Sequence, residues 1–461
     1  MRSAYLLTLL AAGICTAQTV NTPSISQPPL GFNVVPNSVR RVVANPDGNT
    51  TGYNWSVSGG CTLKNTTGAF VDVVAPASGS ACTLAGNNIV SNTACTLSAT
   101  SLIDKTKSSS ITINVCAPQI QVSTIPFYIT LYSGQAADIQ SLVWGNANRN
   151  VSWQIVSQPA GGDGVLDDTN NQDTVFQATV AGRYTLKVTS VADPTKSATT
   201  TVYVTGHKMP YAVTANGTRP VDCSVDPQSS GPVYDVGPKH AITALKNVPW
   251  ESLAPGSTVL IHNDDTTGSN PTTYNEYFQP STAGTATQPI RICGVPDATG
   301  HLPVLSGINA SGRANTSKWA AGYALVDIHS GNWFLYGQPN TGAGYITVEG
   351  LSVKHANSKN SYVTPSGGSA LYVNGAALIR VSDGHDVVIR GNELADGDNG
   401  FFSDARTPES QMVRNLLIEG NNVWGNADPA SRHHQMYTQA YGQVVQFNYF
   451  GTLRAGGVGA H

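Results

Sequence analysis

One short pattern, repeated four times in the last third of the chain, constrains its fold more than any other feature. Ile346-Thr-Val348-Glu-Gly350-Leu-Ser-Val353 is followed by Val387-Val-Ile389-Arg-Gly391-Asn392-Glu-Leu394 and by Leu416-Leu-Ile418-Glu-Gly420-Asn421-Asn-Val423. The fourth copy is Val444-Val445-Gln-Phe447-Asn448-Tyr-Phe450. Matching positions (Gly350, Gly391, Gly420, Phe447) lie 41, 29 and 27 residues apart. Each copy is a brief apolar strand that turns at Gly or Asn and resumes on an apolar residue. Such a unit cannot bury its own apolar face, so successive copies must stack. The uneven spacing then falls in the loops between rungs.

A second set of strands precedes the turns: Ala370-Leu371-Tyr-Val373, Gly400-Phe401-Phe402-Ser403 and His434-Gln-Met436-Tyr437. Two strand sets in the same order predict stacked coils. A propeller would need longer strands, four in each repeat of about 40 residues, and these are too short. The solenoid is expected to enter through the turn Pro255-Gly256 and the strand Val259-Leu-Ile261, with a short capping helix over Ala241 to Leu245. The chain stops soon after a corner, at Gly456 to His461, which predicts that further coils follow in the complete protein.

The front of the chain reads differently. Residues 18–117 predict an all-β module, with alternating strands around Gly52 to Val57, Ala69 to Val74 and Ile111 to Val115. Residues 118–206 predict a second one through Val151-Ser-Trp153-Gln-Ile155 and Gly182-Arg-Tyr184-Thr-Leu186-Lys-Val188. Trp55 followed by cysteines, and the run with Gly182 and Tyr184, resemble immunoglobulin-like sandwiches, which implies a spacer or adhesion module. Residues 207–225 read as a linker and residues 226–461 as the solenoid domain.

Arg2, an apolar run from Tyr5 to Ile14 and small residues up to Ala17 form a secretory signal over residues 1–17. That run is too short for a membrane span. Removing Cys15 with it leaves Cys61, Cys82, Cys95, Cys116, Cys223 and Cys293, an even set compatible with three disulfides. The first four are expected to pair among themselves in one of three ways, and Cys223 with Cys293. Sequons at Asn49, Asn54, Asn65, Asn150, Asn216, Asn309 and Asn315 predict N-glycosylation of an extracellular protein. Only 25 Lys and Arg face 28 Asp and Glu. A surface so poor in cations excludes nucleic acid as a partner and suits hydroxyl-rich ligands such as glycans.

The segment from Tyr234 onward resembles the secreted right-handed parallel β-helix proteins of the pectin-lyase-like superfamily. The resemblance is carried by the Gly-Asn corners, the Pro255-Gly256 entrance and the run from Ile418 to Phe450. It implies a carbohydrate-binding groove, in a superfamily of lyases, hydrolases, esterases, epimerases and non-catalytic adhesion proteins.

The densest chemical candidate is Arg432-His433-His434-Gln435-Met436-Tyr437-Thr438-Gln439. If Met436 points inward, strand alternation turns His434 and Thr438 inward too and leaves His433, Gln435, Tyr437 and Gln439 as an outward ladder. Eliminating across a uronic acid needs a base and a cation that holds the carboxylate. His434, Tyr437 or His433 would be the base; Arg432, Arg406 or Arg454 the cation, with His461 a remoter candidate. Asp396, Asp398 and Asp404 would instead supply paired carboxylates for hydrolysis, or hard oxygens for a Ca²⁺ ion. No cofactor is required by these readings. Trp319, Trp333, Phe334 and Tyr336 are candidate stacking platforms, whereas His355 and the pair His385-Asp386 read as locally bonded. No dinucleotide, P-loop or serine-elbow motif is present. The expectation is a polysaccharide lyase, with a glycoside hydrolase or a non-catalytic glycan-binding protein as alternatives.

Overall fold

The computed structural model describes residues 22–25, 32–45, 52–80, 82–85, 88–117, 120–210, 218–267, 270–313, 321–329, 343–403, 413–427, 433–454 and 458–460. The signal segment, Asn49, Asn216, Asn315, Trp319, Trp333, Phe334, Tyr336, Asp404, Arg406, Arg432 and His461 lie outside them. The described chain is all-β, with one short 3₁₀ turn and no helix long and apolar enough to cross a membrane. It divides into two compact units, Met1–Gln119 and Ile120–His461.

In the first unit, two sheets share one core. Val42, Val71 and Val73 from one sheet meet Trp55, Leu97 and Ile113 from the other. Alternation makes this possible: along Tyr53–Ser58, Tyr53 and Trp55 are buried while Asn54 and Ser56 face solvent. The indole Nε1 of Trp55 donates to the Gly68 carbonyl at 2.9 Å, so the buried ring keeps its polar atom satisfied. Of the three pairings open to the first four cysteines, Cys61–Cys95 and Cys82–Cys116 form, each spanning 34 residues. In the chain-entropy account a loop of that length stabilises the fold by about 4 kcal/mol.

The second unit begins with another pair of four-stranded sheets, closed over Leu131, Ile139, Trp153, Phe176, Tyr184 and Val202. Beyond them stand three sheets whose neighbouring strands are parallel. The first runs Val233–Val236, Thr258–His262, Ile290–Val295, Gly344–Glu349, His385–Arg390, Arg414–Glu419 and Tyr441–Gln446. The second includes Ser352–Lys354, Glu393–Ala395, Asn422–Trp424 and Tyr449–Phe450. The third comprises Ala324–Ile328, Ala377–Val381, Asn399–Ser403, His434–Tyr437 and Val458–Ala460. From Gly344 the chain visits the first and second sheets, and then the third, in each repeat. Their inward residues, among them Ile346, Val387, Leu416, Val353, Leu394, Ile379 and Phe401, form one core.

The predicted register holds: Val348 pairs with Ile389, Ile389 with Ile418, and Ile418 with Val445. At the corner after each strand, Gly350, Gly391 and Gly420 have φ of 71°, 60° and 62°, where a side chain would be strained. Phe447 departs from glycine there, at φ 54°. The asparagines that follow form a ladder. Asn392 Nδ2 donates to Asn421 Oδ1 at 3.1 Å, and Asn421 Nδ2 to Asn448 Oδ1 at 2.9 Å. The same oxygens, Asn421 Oδ1 and Asn448 Oδ1, also accept from the preceding corner's backbone, Asn392 N and Asn421 N. A buried corner has backbone groups that the strands cannot pair, and asparagine supplies both a donor and an acceptor.

Three expectations are corrected. Ser369–Leu371 does not join the third sheet; it pairs antiparallel with Ser361–Val363 as a hairpin, and Ala377–Val381 takes the sheet position. The predicted helix over Ala241 to Leu245 is replaced by a 3₁₀ turn at Leu245–Asn247, whose Leu245 N and Lys246 N are capped by Glu276. Ile242 instead bridges to Val236 as extended chain, exchanging backbone bonds with Asp235 and Gly237.

The third correction concerns the sandwich and the segment after it, read as a spacer and a linker. Ile125, Phe127 and Tyr128 of the sandwich pack on Val388, Leu417 and Val444, the outward residues of the first parallel sheet. Trp144 stacks on Tyr441 at 5.2 Å. Arg219 N donates to Gly420 O at 2.8 Å, and Cys223 is bonded to Cys293. A Cβ on Gly391 or Gly420 would come within 2.5 Å of Arg219, so these corners also make the seat for that strap. A parallel sheet needs both faces covered, and the sandwich supplies the cover.

Candidate functional site

The third sheet leaves a row of side chains on its outer face. Val326, Ile379, Phe401 and Met436 point into the core, so alternation turns the paired residues Asp327, Arg380, Phe402 and Tyr437 the other way. Arg380 lies over the rings of Tyr323 and Phe402, at 5.2 and 5.8 Å from their centroids. Phe402 stacks on Tyr437 at 5.2 Å with an interplanar angle of 14°, and the His434 ring sits 5.2 Å from Tyr437. Gln439 Nε2 donates to the Tyr437 hydroxyl at 2.7 Å. Exposure increases along the row: Asp327 and Arg380 are buried, at 4% and 7%, whereas Phe402, His434 and Tyr437 are half-buried.

At the buried end, Asp327 Oδ2 lies 3.4 Å from His329 Nδ1, and Ser382 Oγ donates to Asp327 Oδ1 at 3.3 Å. Burial opposes ionisation of Asp327 most strongly. His329, Arg380 and the serine hydroxyl outweigh it and hold the carboxyl below the usual carboxylate range. Asp222 and Glu393 are also held low against burial, the first by Ser224, Thr205 and His207, the second by Ser352, Lys354 and Trp424. In the unfolded chain these groups return to about 4. Each therefore contributes stability that is present above that value and is lost as pH falls through the lower folded value. The second unit is expected to lose stability as pH drops below about 4. Denaturant midpoints across an acid series check this; midpoints independent of pH there would contradict it.

The sequence candidates fare unevenly. His434 and Tyr437 meet in the row, but the ladder that put Gln435 and His433 outward is wrong. Gln435 is buried, accepting from Asn426 Nδ2 at 2.8 Å and donating to the Gly451 and Thr452 carbonyls. It braces a corner, and corner packing buries both sides of this short strand. His433 is buried too, with Nδ1 3.8 Å from Asp398 Oδ1. Asp398 is fully buried and accepts from Ser358 N and Gly375 N. Asp396, at φ 63°, takes an ion pair from Arg454 at 2.7 Å and lies 3.9 Å from His355. Each aspartate thus has its own partners, and Arg454 is engaged by Asp396 rather than by the row. His385 Nδ1 bonds Asp386 at 2.8 Å, a local contact.

Asp327, His329 and Arg380 were missed by sequence reasoning. The available signal was a single charged residue between apolar neighbours, Val326-Asp327-Ile328 and Ile379-Arg380-Val381. Among the described residues, the side chains grouped closely enough to hold a metal ion are not in this row. They are Asp235, His240 and His262, at the start of the first parallel sheet.

No family model matches the chain, and no curated protein does. Solved structures similar in part include a chimeric titin Z1Z2 functionalised with a decorin peptide, at 14% identity and TM-score 0.21, covering 41% of this chain and 97% of that one. The tandem Ig repeats of Dlar match at 14% identity and TM-score 0.15, over 40% of this chain and 98% of theirs. The endo-fucoidan hydrolase MfFcnA9 from glycoside hydrolase family 107 matches at 12% identity and TM-score 0.18, over 41% and 34%. Scores this low carry no argument about activity. The chain is defined by its own features: all-β, with three disulfides that fit an extracellular or otherwise oxidising compartment.

Proposed function

We propose that the three parallel sheets wind as a right-handed parallel β-helix of the pectin-lyase-like kind, carrying immunoglobulin-like sandwiches in front. On this reading the protein is secreted, carries N-glycans and acts on carbohydrate, most simply as a polysaccharide lyase on an acidic polysaccharide. Asn54, Asn150 and Asn309 are exposed and suit glycan attachment. Asn65 donates to the Phe70 carbonyl and is less available.

The observation that supports the reading is the outer row Arg380, Phe402, Tyr437 and His434. Aromatic faces next to a cation match an acidic sugar, whose ring stacks while its carboxylate pairs with a guanidinium. Arg380 would stabilise the charge that develops on the uronate as the adjacent C–H proton leaves. Tyr437 or His434 would accept that proton. The C–O bond to the leaving sugar then breaks, its oxygen takes up a proton, and a carbon–carbon double bond remains.

A panel of acidic polysaccharides, followed by ultraviolet absorbance of the unsaturated end, tests this. Turnover is expected on at least one polymer, falling by roughly 10²–10⁴-fold in Tyr437→Phe or His434→Ala, whichever carries the base. New reducing ends without absorbance would move the reading to hydrolysis. Binding with neither product would make the protein a glycan-binding module.

A further inference from the structure

Away from the third sheet, four side chains converge where the first parallel sheet begins. Asp235 lies on Val233–Val236, His262 ends the neighbouring strand Thr258–His262, His240 stands in the turn between them, and Asp264 follows His262 closely. His262 Nε2 is 2.5 Å from Asp235 Oδ1, and His240 Nδ1 is 3.2 Å from Asp235 Oδ2. One ligand atom from each of Asp235, His240 and His262 falls within 4.8 Å of the other two. The two imidazoles stack at 3.7 Å, 16° from parallel. The cluster is open to solvent, with 22% of the His240 side chain and 47% of the Asp235 side chain exposed.

A neutral imidazole has one donor and one acceptor nitrogen, and an ionised carboxylate only accepts. His240 nevertheless faces carboxylates with both nitrogens, Nδ1 towards Asp235 and Nε2 towards Asp264 Oδ1 at 3.0 Å. His262 presents a third nitrogen to Asp235. A neutral His262 can donate to Asp235 from Nε2, but a neutral His240 has one donor for two carboxylates, so one of its nitrogens is left as a lone pair facing a carboxylate oxygen. A divalent cation resolves the conflict. It would take Asp235, His240 Nδ1 and His262 Nε2, leaving His240 Nε2–H to donate to Asp264. Two carboxylates are then balanced by two positive charges.

We propose that Asp235, His240 and His262 bind a divalent transition ion of the zinc class, with Asp264 as the outer acceptor that orients His240. Two imidazoles and one carboxylate suit zinc better than calcium, which favours six or more oxygens. A histidine that donates its second nitrogen to a carboxylate is the usual support for a metal-bound imidazole. Asp264 is itself held: its Oδ2 accepts from Lys239 N at 3.0 Å, and its backbone N donates to Thr272 Oγ1 at 2.7 Å. Gly237 leaves the necessary room, because a Cβ there would lie 2.7 Å from His240 Cδ2 and 2.8 Å from Asp264 Oδ2. With three protein ligands, the ion keeps at least one position for water or substrate, and it ties the entrance turn to the first two strands.

Zinc titration of the chelator-treated full chain by calorimetry tests the site, with Ca²⁺ as the comparison ion. One zinc per chain is expected, with a rise in melting temperature and no comparable effect of Ca²⁺. Cobalt substituted for zinc should show visible absorption typical of a low-coordinate nitrogen and oxygen site. His262→Gln should lose that signal and bind zinc at least 100-fold more weakly, and Asp264→Asn roughly 10–100-fold more weakly. A wild-type chain that takes up no zinc overturns the proposal, whatever the variants do. So does zinc uptake that folded His262→Gln and Asp264→Asn retain undiminished.

Discussion

Arg390→Ala is expected to destabilise the second unit by about 3–5 kcal/mol, because it breaks a buried charge network and leaves its partners uncompensated. Arg390 is almost fully buried in the first parallel sheet, in register between Glu349 and Glu419 on the adjacent strands. Its Nη1 lies 3.6 Å from Glu349 Oε2, and its Nε lies 3.4 Å from Glu419 Oε1. Arg291 pairs with Glu349 at 2.6 Å, and Arg219 with Glu419 at 2.9 Å, so the charges alternate along the face. Arg390 also donates to the Thr130 carbonyl of the sandwich at 2.8 Å, and Arg219 to that of Ala136. Removing the central guanidinium therefore strips Glu349 and Glu419 of a shared partner and unfastens the sandwich. Denaturant unfolding measures the loss. In the double variant with Glu349→Ala the cost should fall below the sum of the single costs, since the two residues share one network. Arg41→Ala, which breaks the exposed pair with Asp72, should change stability far less, because water screens an exposed ion pair. An Arg390→Ala effect as small as that would show the network to be idle.

Arg380→Gln is expected to lower turnover by roughly 10²–10³-fold on the polymer the protein cleaves, the usual cost of removing one preorganised stabilising group from a reacting centre. The residue is held by its neighbours rather than by flexible solvent contacts: two aromatic rings flank it, and the Asp327 carboxylate lies in the paired position on the next strand. Glutamine keeps a polar head but has neither the charge nor the bidentate geometry that a carboxylate recognises. Arg380→Gln should also lose some stability, since Arg380 helps hold the buried Asp327 ionised. Turnover is therefore compared under conditions where unfolding measurements show both proteins fully folded, which separates a role in the site from a role in folding. Turnover within a few-fold of wild type would remove Arg380 from the chemistry.

Much of the stacked fold was legible in the sequence because its repeats keep one local grammar. Gly350, Gly391 and Gly420 take the same positive φ, and Asn392, Asn421 and Asn448 answer the same unpaired corner. The alternation at Tyr53–Ser58 was equally visible. The even number of cysteines pointed to three disulfides, though the pairing of the first four waited for the fold. The candidate row was legible only at one end. His434 and Tyr437 were found because they fall in one short run, whereas Gln435 was misassigned because alternation ignores a corner that buries both faces.

By itself the sequence determined the strand grammar, the corners and the register of successive repeats, since these depend on residues within a few positions of one another. Tertiary structure decided the rest. Asp327, Arg380, Phe402 and Tyr437 span more than a hundred residues, yet stand in successive strands, about 4.8 Å apart. Loop length, which carries no periodic signal, is what separates them in the chain. The same holds for His240 and His262, brought ring to ring by a turn and a strand pairing. It holds too for the sandwich, whose cover of the first parallel sheet follows from the need of a parallel sheet to bury both faces.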